Sequence, residues 1–177
     1  KIKYWLKEES IYNIYGINMK KYIGIIVIIA IFAILIVCTI VRRNLNDDIQ
    51  INVDELADRI ASSSSFEDEL AKIDDELAIE LYGFEANGIE EIVSYQGSGA
   101  SSEEILVLKV KDVNDINNAK EKIETRLKER EEAFASYLPK EVSKIQNHIL
   151  EEKGNYIILC ICNDYNTVNK VIKDFLG

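Results

Sequence analysis

Histidine is almost missing from this chain: one residue, His148, in 177. A Ser/His/Asp arrangement would have to be built around that residue, which sits in Ile-Gln-Asn-His-Ile-Leu on a charged stretch that reads as helix surface. Cysteine is scarce too. Cys160 and Cys162 lie in Tyr-Ile-Ile-Leu-Cys-Ile-Cys, where residues i and i+2 of a strand share a face. Their Cα atoms would be about 6.5–7 Å apart, at the limit for a disulfide. A metal or redox site there would need further Cys or His ligands, so two buried free thiols are expected. One proline, Pro139, and eight glycines leave no Pro-rich or Gly-rich linker to divide domains. Basic residues are few as well. After Arg43 there are 14 Lys and Arg against 29 Asp and Glu, a balance of −15 over 134 residues. Such a surface excludes nucleic acid and anionic headgroups as partners and suits a soluble domain.

What the chain does have is one long apolar run. From Tyr22 to Val41 twenty residues carry no charge, with Lys20 and Lys21 before them and Arg42 and Arg43 after. As helix this is about 30 Å, the thickness of a bilayer core. A secretory signal would have a shorter core of about 7–15 residues and a small-residue cleavage site. Here the run ends Cys-Thr-Ile-Val-Arg-Arg. Cys38 follows Val37, and the run continues beyond it, so neither cleavage nor lipidation is expected. Residues 19–43 read as a single-pass transmembrane anchor starting at Met19. Residues 1–18 read as upstream translation or a cytoplasmic tail. Residues 44–52 read as a polar tether and 53–177 as one extracytoplasmic domain. The flanking positive charge is nearly even and does not orient the span.

Within the domain, periodicity predicts helices at 53–62 and from about Phe66, where Phe66, Leu70, Ile73 and Leu77 recur at helical spacing. Strands are expected at 89–95 and 104–110, the second apolar on nearly both faces and so central. Asp112 is expected to cap a helix over 113–137 whose stripe is Ile116, Ala119, Ile123, Leu127, Phe134 and Tyr137. A short helix at 140–150, a strand at 156–162 and a helix at 166–176 complete the order ααββααβα. The class is α+β, with a three-stranded, mainly antiparallel sheet packed by helices.

Catalytic chemistry is hard to place. Asp112-Val-Asn114-Asp115-Ile-Asn117 opens like a calcium loop but has Ile116 and Asn117 where an oxygen ligand and glycine belong. Gly97-Ser98-Gly99 joins two strands, whereas a phosphate loop leads into a helix. No catalytic, cofactor-binding or metal-ligating residue is assigned, and no cofactor is expected. The candidate interaction loop comprises Gly97, Ser98, Gly99, Ser101, Ser102 and Glu103. It is longer than a tight turn needs, with backbone donors expected to be free, and Glu103 and Glu104 are expected to make its rim acidic. A cationic or hydroxyl-rich partner would suit it.

An ordered series of residues is similar to one bacterial family. Tyr82-Gly83 comes first, then 97–100 with Glu103-Glu104-Ile105, then Lys109-Val-Lys111-Asp112. Arg126-Leu127, Tyr137-Leu-Pro139 and Gly154-Asn-Tyr156 follow. Over about residues 53–177 the chain resembles the domain of unknown function 4358 family. The resemblance implies a protein of a low-GC Gram-positive bacterium, lipidated or membrane-anchored, with its domain outside the membrane. It supplies no catalytic residue. The expected function is an envelope-facing interaction or ligand-binding module whose partner is an envelope protein or polymer. The alternative is a cell-envelope enzyme using carboxylate acid–base chemistry.

Overall fold

The computed structural model describes residues 25–38 and 50–176. The chain divides into two compact units, 1–48 and 49–177. In the first, residues 25–38 form helix α1, with every side chain exposed. Among the described residues no helix is long and apolar enough to cross a membrane. The expected span, 22–41, runs at both ends into positions outside the described residues.

The second unit is α+β, and its sheet has five strands where three were expected. The elements run α2 (Val53–Ala61), β1 (Ala71–Ile73), α3 (Asp75–Tyr82), β2 (Ile89–Gln96), β3 (Glu104–Val110), α4 (Ile116–Tyr137), α5 (Pro139–Gln146), β4 (Ile149–Lys153), β5 (Tyr156–Ile161) and α6 (Tyr165–Leu176). All neighbouring strands are antiparallel, in the order β1-β2-β3-β5-β4. β3 is central, and all seven of its residues are buried.

Side-chain alternation sorts the core into two layers. Leu106, Leu108 and Val110 of β3, with Ile157, Leu159 and Ile161, face α3, α4 and α5. Ile105 and Val107, with Ile158, Cys160 and Cys162, face α2 and α6. Burying each such aliphatic side chain stabilises the fold by about 1.5–3 kcal/mol. In α2, Val53, Leu56, Ala57 and Ile60 form the inward stripe, and the Asn52 side chain caps the helix by accepting from Glu55 N at 2.9 Å. The α4 stripe holds through Phe134, but Tyr137 is exposed.

Two departures supply the extra strands. No helix starts at Phe66: the backbone N–H groups of Glu67 and Asp68 bond the Glu103 carboxylate (2.9–3.1 Å), and residues 66–70 form no helical ladder. The chain stays irregular there, pairs as β1 against β2, and turns helical only at Asp75. The helix expected over 140–150 ends at Gln146, and Ile149 begins β4. The two-residue turn Gly154-Asn155, with Gly154 at φ 62°, returns the chain into β5 as a hairpin.

Candidate functional site

The loop between β2 and β3 is exposed only at Ser98, Gly99 and Ala100; Gly97 is half-buried, and Ser101, Ser102 and Glu103 are buried. Its backbone donors are mostly occupied, contrary to expectation. Gly97 N bonds Glu103 O (2.9 Å), Ser98 N bonds Asp68 Oδ2 (2.6 Å), and Ser101 N bonds Ser98 O (3.0 Å). Ser102 N and Oγ both donate to Glu141 Oε2 of α5, at 3.0 and 3.1 Å. A Cβ on Gly97 would stand 3.0 Å from Asp68 Oδ2 and 3.1 Å from Glu103 O, so a side chain here would press on both neighbours. A Cβ on Gly99 would meet nothing within 4 Å.

Glu103 and Glu104 do not form an acidic rim: both are 0% exposed, and they point to opposite sides. Glu103 receives Lys144 Nζ at 3.2 Å in addition to its two backbone donors, and Lys144 also reaches Glu67 (3.0 Å) and Glu141 (3.5 Å). Burial opposes the Glu141 charge, but the bonds from Ser102 and the charge of Lys144 outweigh it and hold the carboxyl below its ordinary 4.5. Burial likewise works against the Lys144 ammonium, and Glu67 and Glu103 outweigh it, raising the amine above its ordinary 10.5. Both groups stay ionised at neutral pH.

On the other side, Glu104 accepts from the Tyr82 hydroxyl in a short bond and from Arg126 Nε at 3.0 Å. Arg130 Nε lies 3.1 Å from Glu104 Oε2 without the alignment of a hydrogen bond, so it is an ion pair only. Arg126 stacks 4.7 Å over the Tyr82 ring, which itself lies parallel to Phe84 at 5.2 Å. Burial, then the Glu104 charge, pushes the Tyr82 hydroxyl well above its ordinary 10.0, so it remains a donor. Arg126 and Arg130 also reach Leu81 O and Ser102 O. The cluster therefore ties α3, α4 and the β2–β3 loop together, and neither carboxylate is free for proton transfer.

A family model described as Domain of unknown function (DUF4358) matches residues 62–162. The chain belongs to that family. No curated protein and no solved structure matches the chain. The DUF4358 match is narrower than the resemblance over 53–177: it takes in the five strands with α3, α4 and α5, and leaves out α2 and α6. Both carboxylate clusters and the 97–103 loop fall inside the DUF4358 region.

The remaining residues singled out from the sequence are structural. Cys160 in β5 and Cys162 just beyond its end are free and buried in the same core layer. Burial, the neighbouring Cys162 and Glu103 push the Cys160 thiol well above 9.0. His148 is half-buried, with Nδ1 2.7 Å from Ile145 O at the end of α5. Asp112 caps the 3-10 turn Val113–Asp115 through Asn114 N (2.9 Å), and α4 starts beyond it. Among the described residues no group of three or more His, Cys, Asp or Glu could hold a metal.

Sequence reading missed one concave site in the DUF4358 region. The 3-10 turn Ala86–Gly88 faces the turn Val113–Asp115 and the first turns of α4 across a cavity of about 270 Å³. Phe84, Ile89 and Ala119 give it apolar walls, while Glu85, Asn87, Asp115 and Asn118 supply polar groups. Lys111 pins the first turn twice, N to Gly88 O and Nζ to Asn87 O, both at 2.9 Å. No motif marks these residues, because the two turns are separated by the whole β2–β3 hairpin.

Proposed function

We propose that this chain is a single-pass membrane-anchored protein whose acidic domain lies outside the membrane and works as an interaction or ligand-binding module of the cell envelope. The observation that carries the tether is the run 22–41. It is free of charge, flanked by basic pairs, and helical over its described part with all side chains exposed. Acyl chains are the occupant that fits such a surface: as helix, twenty uncharged residues would span about 30 Å, the thickness of a bilayer core, with the basic pairs at its two interfaces. Family membership supports the outward orientation, because the resemblance implies anchored proteins with external domains.

Binding is favoured over carboxylate catalysis by the state of the buried acids. Glu103, Glu104 and Glu141 are committed to Lys144, Arg126, Arg130 and backbone donors, which occupy the oxygens that a substrate would need. The loop contributes its exposed turn, 98–100, as a contact surface for an envelope protein or polymer. Two measurements test the reading. Protease added to intact protoplasts should digest the chain beyond residue 50 and leave the span; a protected domain would overturn the orientation. Gly99→Arg, whose Cβ would meet nothing within 4 Å, should reduce co-purification of partners from solubilised membranes while the melting temperature stays unchanged. Undiminished co-purification would remove the turn from the contact surface.

A further inference from the structure

We infer that the cavity between the two 3-10 turns binds a neutral, hydroxyl-rich ring, a single pyranose unit. This deepens the ligand-binding reading above and rests on it. The first observation is that four polar side chains lining the cavity are solvent-exposed and free of intramolecular bonds. The side chains of Glu85, Asn87, Asp115 and Asn118 make no hydrogen bond or ion pair within the described residues, unlike the clusters at Glu103 and Glu104. The second is chemical variety. Two carboxylates offer acceptors only, and two carboxamides offer both donors and acceptors. That set matches adjacent hydroxyls, each of which both donates and accepts. The third is the wall: half-buried Ile89, with the small exposed parts of Phe84 and Ala119, presents apolar surface to the C–H face of a ring.

Size and charge narrow the class. At about 270 Å³ the space sits at the small end of ligand pockets and takes one ring rather than a drug-sized molecule. The one cation lining it, Lys122, donates its ammonium to Gly83 O at the end of α3. Glu85 and Asp115 outnumber it two to one, so the lining is net negative, which disfavours phosphate or carboxylate ligands. A hard divalent cation would want more carboxylates than these two. The site is also preorganised, because both turns are held by Lys111 and by the Asp112 cap.

The test uses the full chain in phospholipid nanodiscs, with backbone amide shifts of Gly88, Ala119 and Lys122 read by NMR. N-acetylglucosamine and glucose are the probes; calcium chloride and ethanolamine are the competing arms. The expected result is saturable shifts with at least one sugar, and Kd at least tenfold weaker in Asn118→Ala. Gly88→Ala should weaken it too, since the added Cβ would sit 3.9 Å from Asp115 Oδ2, at the wall, without strain. Saturation by calcium or ethanolamine with no response to either sugar would overturn the assignment. So would sugar shifts unchanged in both variants, or no shifts at all with either sugar up to about 100 mM, far weaker than the millimolar range. The protoplast experiment decides the tethered orientation independently of each of these outcomes.

Discussion

Replacing Glu104 by leucine would remove the one anion that faces Arg126 and Arg130 beneath the sheet. The carboxylate side chain is 1% exposed, and the two arginines are 12% and 20% exposed. Leucine fits the site sterically, since Leu106 and Leu108 already line the same face of β3. The loss is therefore electrostatic. Two guanidinium groups lose their counter-charge, and the buried Tyr82 hydroxyl loses its acceptor. Breaking a buried pair from one side costs about 3–5 kcal/mol. Because both arginines keep a path to solvent, the lower end, about 3 kcal/mol, is expected. For a domain of this size that corresponds to a fall in melting temperature of roughly 10 °C or more. The assay is thermal unfolding followed by circular dichroism, on the single variants and on Glu104→Leu with Arg126→Met. The double variant should recover part of the loss, giving a coupling energy above about 1 kcal/mol. Lys72→Ala is the comparison, because its pair with Asp54 is 43% and 67% exposed and should contribute less than about 1 kcal/mol. If Glu104→Leu cost no more than Lys72→Ala, the cluster would not be the tie described.

Stability should be flat near neutrality and fall at both extremes. Glu141 has its folded value depressed, so its contribution is present above about pH 4.5 and lost as pH drops through that lower value. Lys144 and Tyr82 have theirs raised, so their contributions hold below about pH 10 and disappear as pH climbs through the raised values. Melting temperature against pH checks both limbs; Glu141→Gln should flatten the acid limb, and an unchanged limb would contradict the assignment. Gly97→Ala should destabilise by about 1–3 kcal/mol through its crowding, whereas Gly99→Ala should stay within about 0.5 kcal/mol by the same unfolding assay. Cys160 and Cys162 should resist maleimide until the protein is denatured, and labelling of the native chain would contradict their burial.

The parts legible from sequence were those written in periodicity. The 53–62 helix, the central β3 and the α4 stripe through Phe134 each repeat at the spacing of their own element, and each formed. The parts that were not legible depend on residues distant in sequence. Phe66, Leu70, Ile73 and Leu77 are spaced as a helix, yet residues 67 and 68 bond Glu103, some 35 positions on, and Ala71–Ile73 pair with β2 instead. Glu103 and Glu104 look like surface charge in any sequence, because their counter-ions come from α4 and α5. β4, with Glu151 and Glu152 exposed on an edge, carries too little apolar alternation to announce a strand. The cavity was invisible for the same reason: nothing local says that residues 85–88 and 115–118 will meet.

α2 and α6, the first and last helices of the domain, pack on the same face of the sheet, with Arg59 stacked 5.2 Å over Phe175. The chain enters that layer at Ile51, whose N–H reaches the Tyr156 hydroxyl at the start of β5 (3.3 Å). The domain is thus closed like a clasp by its own two ends. A pull at residue 50 would meet α2 lengthwise and the Tyr156 bond first, while the five strands carry load only once that helix has come away. That layer would then give way before the sheet, and the cavity and the Glu104 cluster lie on the opposite face.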